Sequence, residues 1–162
     1  MKYWLISDTH NHHGRLNVPE GLDVVIHCVD EFVRRNEWLN EPEAREFFDW
    51  YSALDVSVKI FVPGNHSMAV EKGVVTPEQY PGVRFLIHEQ TELEGLVVFG
   101  TPCTPKFFDW AYMRAREDLD MVWRSIPDNV DILISHGSPK VRHRASVDSR
   151  IKWPLASTNT SS

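Results

Sequence analysis

An α/β fold, with strands and helices alternating along one domain, is predicted for this 162-residue chain. Two observations carry the prediction. Short apolar runs suited to strands alternate with stretches of helical period. Four polar signatures also begin where such runs end. Tyr3-Trp4-Leu5-Ile6 leads into Asp8-Thr9-His10, and Val24-Val25-Ile26-His27-Cys28 into Asp30. Val58-Lys59-Ile60-Phe61-Val62 leads into Gly64-Asn65-His66, and Ile132-Leu133-Ile134 into Ser135-His136-Gly137. Open α/β sheets build their sites beyond the carboxyl ends of the strands, so one shared site is expected there.

The remaining elements follow in order. Ala44, Phe47, Phe48, Tyr51 and Leu54 share one face of a helix expected over 43–54, with Pro42 suited to its first turn. Val83–His88 and Leu96–Gly100 read as strands. The stretch 100–105 reads as a loop because its prolines break ladders and helices alike. A second helix is expected over 109–126, with Ala115, Leu119, Val122, Trp123 and Ile126 on its apolar face. The domain is taken as 1–139, with 140–162 a basic, Ser/Thr-rich tail. Polar and aperiodic, that tail is expected to be disordered and to supply no metal ligand.

Composition narrows the functional classes. No apolar run approaches the roughly 20 residues of a membrane span. The chain passes from Met1 directly into a strand, leaving no room for a signal peptide. Cys28 and Cys103 are too few for a disulfide framework, so a cytoplasmic location is expected. The formal charge is −6 and uneven: five basic residues against Asp148 alone make the region after residue 139 +4, leaving −10 for the body. An acidic body argues against bulk nucleic-acid binding. A small phosphate ester drawn in by metal charge remains compatible with it.

Taken singly, each signature is an ordinary turn or cap. Jointly they present oxygen and imidazole donors of the kind that hold divalent metals. A two-metal hydrolytic centre needs a carboxylate shared by ions about 3.5–4 Å apart. Asp30 suits the bridge. Asp8 and His10 suit one ion, while Asn65 and His136 suit the other. His66 is placed to hold phosphate or to protonate the leaving oxygen. His12 and His13 are candidates for the mouth of the site, one of them solvent-facing. His27, within a strand, reads as a core or supporting histidine.

The order Asp-x-His, Asp, Gly-Asn-His, His-Gly resembles the calcineurin-like metallophosphoesterase superfamily over residues 1 to about 139. Gly100-Thr101-Pro102 and Phe107-Phe108-Asp109-Trp110-Ala111-Tyr112 resemble its metallophosphoesterase-domain subgroup. The resemblance implies a two-sheet β-sandwich flanked by helices and two divalent ions (Mn, Fe, Zn or Ni). It places Asp8, His10 and Asp30 on one metal, and Asp30, Asn65 and His136 on the other, with His66 catalytic. The implied activity is phosphodiester or phosphomonoester hydrolysis, with a nucleotide among the possible substrates. Two departures stand out. Val29 precedes Asp30 where the family has Gly, and the family's final Gly-His-x-His motif is absent. The chain therefore reads as C-terminally truncated or altered in frame, with impaired activity expected. The alternative is an inactive remnant acting as a binding partner. A shortened sandwich would expose an edge or an apolar face and favour a homo-oligomer.

Overall fold

The computed structural model describes residues 1–33 and 37–137, with side chains for all of these except 37–39. The expected tail over 140–162 lies outside the described residues. The structure is mixed α/β, with several sheets and few helices. Strands β1 (Tyr3–Ser7), β2 (Val24–Cys28), β3 (Val58–Val62) and β4 (Arg84–Phe85) form a parallel sheet in that order. A second sheet contains β5 (Glu89–Leu93), β6 (Leu96–Thr101) and β9 (Ile132–Ser135), again in that order. There β5 runs antiparallel and β9 parallel to β6. A small third pair joins β7 (Thr104–Pro105) to β8 (Met113–Arg114).

Side chains alternate across a strand, and the central strands bury both faces. Val25 and Phe61 point toward helix α1 (Glu37–Ala53). They pack there with Phe47, Phe48, Tyr51 and Phe85 in a core rich in aromatic rings. Val24, Ile26, Ile60 and Val62 point the other way, meeting Leu93, Val98 and Ile134 of the second sheet. That contact is close. A Cβ on Gly100 of β6 would lie 2.8 Å from Val62 Cγ2, so glycine is what the approach tolerates there. Strand β1 is an edge that leaves Leu5 and Tyr3 exposed.

Tyr51 binds α1 to the sheet. Its hydroxyl accepts from His27 N at 3.1 Å and donates to Ile60 O at 2.7 Å.

Several sequence expectations are corrected. Helix α1 is present from Glu37, so Pro42 lies inside it rather than in its first turn. Proline has no N–H for the carbonyl four residues back, and packing of the aromatic face outweighs that loss. After the short helix α2 (Met68–Glu71), the second expected helix is α3, which spans only Arg116–Arg124, and Leu119 alone is buried on it. Residues 109–112 are instead held by long-range bonds: Ala111 N donates to Asn65 O and Tyr112 N to Glu71 Oε1. The 100–105 segment is not all loop. Thr101 ends β6, and Thr104–Pro105 pair with β8. Strand β5 was not expected at all.

Candidate metal centre

The parallel sheet brings the carboxyl ends of β1, β2 and β3 to one edge, and β9 delivers its own end beside them. Asp8, His10 and Asp30 converge: one ligand atom from each lies within 4.8 Å of the others. The backbone is what aims them. Asp8 has φ 50°, His10 φ 40° and Asp30 φ 38°, all left-handed. Asp and His tolerate this region better than most residues, and such strain gathers at functional sites. The two loops brace one another, with Asp8 N donating to Val29 O and His10 N to Asp30 O.

Each imidazole is oriented by a carbonyl. His10 Nδ1 lies 2.9 Å from Phe32 O, and His66 Nδ1 lies 3.0 Å from Val33 O. A carbonyl only accepts, so both Nδ1 atoms carry the proton. That is the usual second contact of a metal-binding histidine, and it directs Nε2 of His10 to the ligand side. The His10 and His66 rings meet edge to face at 5.0 Å.

Gly64-Asn65-His66 closes over Asp30. His66 N donates to Asp30 Oδ1 at 3.2 Å. Asn65 Oδ1 is buried and has no hydrogen-bond partner among the described residues. On the far side, His136 Nε2 stands 3.9 Å from Asp30 Oδ1. Burial lowers the His136 pKa, against the opposing pull of Asp30 and Asp8. The ring is thus neutral near pH 7, and 3.9 Å is too long for a hydrogen bond. A buried orphan carbonyl and a neutral imidazole facing a carboxylate across a gap both fit an intervening cation.

Other expectations resolve differently. His12 is exposed, and no hydrogen bond or ring contact among the described residues brings its imidazole to the cluster. His13 does not line the mouth. It is buried against Phe47 and Trp50. His27 is a core histidine: fully buried, with Nε2 3.0 Å from Thr9 Oγ1. It supports the loop between Asp8 and His10 rather than reaching the centre. Burial and Asp8 push the Cys28 thiol up to about 12, which keeps it protonated. His143 lies outside the described residues.

Two supporting residues escaped sequence reasoning. Glu31 is completely buried, and its Oε1 accepts from Ser67 Oγ at 2.5 Å. Gly64 N in turn donates to Ser67 Oγ at 2.9 Å, so Glu31 ties the Asp30 loop to the Gly64–Ser67 turn. Asn40 on α1 does the same from the helix side. Its Nδ2 donates to His66 O, and its Oδ1 accepts from Ala69 N. A signal for Asn40 was available: it falls one turn before Ala44 on the apolar stripe of α1, where an amide needs a reason.

Fold and cluster together describe a mixed α/β protein with an acidic and imidazole centre at its strand ends. The chain is 28% identical over 163 aligned residues to the human "Metallophosphoesterase domain-containing protein 1", covering 85% of this chain and 48% of that protein. It is 27% identical over 154 residues to the Caenorhabditis elegans UPF0046 protein K07C11.7, covering 86% of this chain and 51% of the relative. A "Probable rhamnogalacturonate lyase C" of Emericella nidulans is 30% identical over 148 residues, covering 83% of this chain and 13% of that protein. No family model matches the chain. These likenesses support a metallophosphoesterase-domain protein, to which the UPF0046 proteins are related. The chain spans about half the length of those relatives. Among the described residues, no helix is long and apolar enough to cross a membrane.

Proposed function

We propose that this chain is a metal-dependent phosphoester hydrolase, acting on a small phosphodiester or phosphomonoester. The observation that carries the proposal is the convergence of Asp8, His10 and Asp30, with His136 Nε2 facing Asp30 from the other side. Asp8, His10 and Asp30 are assigned to one divalent ion (Mn, Fe, Zn or Ni). Asp30, Asn65 and His136 are assigned to a second, with Asp30 shared. The two packed sheets are read as the β-sandwich of the superfamily, and two unbridged cysteines support a cytoplasmic setting.

Bound divalent ions would supply an activated water and bind phosphoryl oxygens. The chain's own residues do the rest. Phe32 O and Val33 O fix the His10 and His66 rings through their Nδ1 protons. His66, protonated at Nε2 as well as Nδ1, would then give the Nε2 proton to the leaving oxygen and keep Nδ1–H on Val33 O. Trp110, its ring 5.8 Å from that of His66, shields one side of the imidazole. His12, exposed on the loop after β1, is assigned to outer contact with substrate.

A second reading, a binding protein without turnover, is favoured by one observation. Among the described residues, only Asp8, His10 and Asp30 meet as a group of three acidic or imidazole ligands. One experiment separates the two. Metal content is measured on the purified chain, and hydrolysis of bis(p-nitrophenyl) phosphate is followed with and without Mn. Two ions per chain and slow turnover abolished by chelation are expected. One ion without turnover selects the second reading. Hydrolysis that survives both Asp30→Ala and strong chelation refutes the metal assignment.

A further inference from the structure

The centre is assembled from two sheets. Asp8, His10, Asp30 and Asn65 stand on the segments that follow β1, β2 and β3, whereas His136 follows β9 of the second sheet. The spacing between the two halves therefore depends on what ties the second sheet to the chain leaving the first. That chain is Leu86-Ile87-His88, which runs from β4 into β5. Leu86 N donates to Phe61 O of β3, and His88 then turns the backbone with φ 60°.

His88 belongs to none of the four sequence signatures, yet its ring is bonded at both nitrogens. Antiparallel pairing of Glu89 with Gly100 sets His88 across from Thr101, one step beyond the ladder. His88 Nδ1 lies 3.2 Å from Thr101 Oγ1, and Nε2 lies 2.8 Å from Ser125 Oγ at the carboxyl end of α3. Phe99, on the same face of β6 as Thr101, meets the ring edge to face at 5.0 Å. The proton positions follow from the partners. Ser125 Oγ gives its one proton to Val122 O at 2.8 Å, so Nε2 of His88 donates to Ser125. Burial lowers the His88 pKa and keeps the ring neutral near pH 7, so Nδ1 accepts from the Thr101 hydroxyl. Thr101 is fully buried, pairs with Ser135 on β9, and accepts from His136 N at its own carbonyl, 3.2 Å away. Hydrogen bonds thus run from the end of α3 through the His88 ring and Thr101 to the backbone of His136.

We propose that His88 is a positioning residue for the second metal ion. It fixes Thr101, and Thr101 O fixes where His136 presents Nε2 to Asp30. The inference rests on the two-ion assignment made above. It adds a residue outside the ligand set on which the second ion, and not the first, depends. Partners that orient metal ligands are typically worth roughly 10–100-fold in metal affinity. His88 acts one residue further out, so the low end, about tenfold, is expected.

The test titrates the full metal-free chain with Mn in a calorimeter and follows its amide resonances by NMR before metal is added. In His88→Ala and Thr101→Val the second ion should bind about tenfold more weakly, while the first stays within about twofold of the wild type. Ser125→Ala, a mild change at an exposed position, frees the anchored end of the ring and should weaken the second ion in the same direction. His88→Gln carries a donor and an acceptor on one planar amide, and it should restore the second ion. A general loss of packing would instead weaken both ions together. Equal weakening of both ions, a second ion unaffected in all three disruptive variants, or a His88→Gln as weak as His88→Ala overturns the proposal. The metal-free resonances give an independent answer. The His136 amide should shift in His88→Ala and return in His88→Gln, with the His10 amide unmoved in both. If the wild type takes up a single ion, the assignment of Asn65 and His136 fails, and these resonances alone decide the positioning role. A His136 amide that stays in place in His88→Ala overturns it.

Discussion

Gly64 lies against Asp30 so closely that a Cβ at position 64 would fall on Asp30 Oδ1 and 2.5 Å from Asp30 N. The glycine is needed for this approach, since the ladder after β3 must pass directly over the central carboxylate. Gly64→Ala forces the Asp30 loop or the His66 turn to move. The expected cost is about 1–3 kcal/mol, as for other overpacked sites, together with weaker metal binding. Gly82→Ala is the control, because a Cβ there meets nothing within 4 Å. It should change stability by no more than about 0.5 kcal/mol. Urea unfolding with and without Mn reads both variants. A Gly64→Ala protein as stable and as metal-competent as the control would show that the contact is not constraining.

Val29 carries a different burden. Its φ is 61°, a left-handed conformation that a β-branched residue adopts at a cost. Its side chain is buried, so truncation also removes apolar contact. Comparing two truncations separates the effects. Val29→Ala loses contact and keeps the strain, while Val29→Gly loses slightly more contact and relieves it. Val29→Gly should therefore be the more stable of the two, by about 1 kcal/mol. The reverse order in denaturant midpoints would mean that the left-handed geometry at this residue is not costly.

These positions show what the sequence could and could not reveal. Convergence of the first three signatures was legible, because parallel strands carry their carboxyl ends to one edge; His136 arrives from β9 of the second sheet, which strand direction alone does not place there. The aromatic face of α1 was legible from its period. The strain at Asp8, His10 and Asp30 was not, since none is the glycine that such dihedrals normally favour; at Val29 the resemblance gave a sign, because the family has Gly there. Strand β5 was missed because Glu89-Gln90-Thr91-Glu92-Leu93 buries only Leu93, and the strand owes its state to pairing with β6. The helix expected from residue 109 was overextended because Asn65 O and Glu71 Oε1, distant in sequence, capture the backbone of Ala111 and Tyr112.

His66 reaches Asp30 and Asn40 through its backbone, while its ring lies edge to face with that of His10. His66→Ala keeps the backbone contacts and removes the proton donor. Turnover should fall roughly 10²–10⁴-fold, the usual contribution of a positioned acid, while bound metal stays within measurement error of the wild type. Steady-state hydrolysis and metal analysis on the same samples decide the matter. A parallel loss of metal would move His66 from substrate to ligand.

The acid and alkaline limits of stability should have separate origins in the metal-free chain. Burial lowers His27 from 6.5 to about 3, with His13 and His10 adding repulsion. The unfolded chain then binds a proton near pH 6.5 that the folded one refuses, so stability is lost as pH falls from 6.5 toward 3. Glu31 is displaced the other way. Burial raises it from 4.5 to about 8, against the Ser67 hydrogen bond. The folded chain keeps a proton that the unfolded one releases near 4.5, so stability is lost as pH rises from 4.5 toward 8. Between 4.5 and 6.5 the two proton differences cancel and stability should be flat. Outside that window each limb should slope by up to about 1.4 kcal/mol per pH unit. His27→Gln should flatten the acid limb and extend the alkaline decline down to pH 4.5, because nothing then cancels Glu31. Glu31→Gln, which still accepts from Ser67, should flatten the alkaline limb and extend the acid slope up to pH 6.5. Urea midpoints across pH in chelator test this directly, and an acid limb unchanged in His27→Gln would assign the lost stability to other groups.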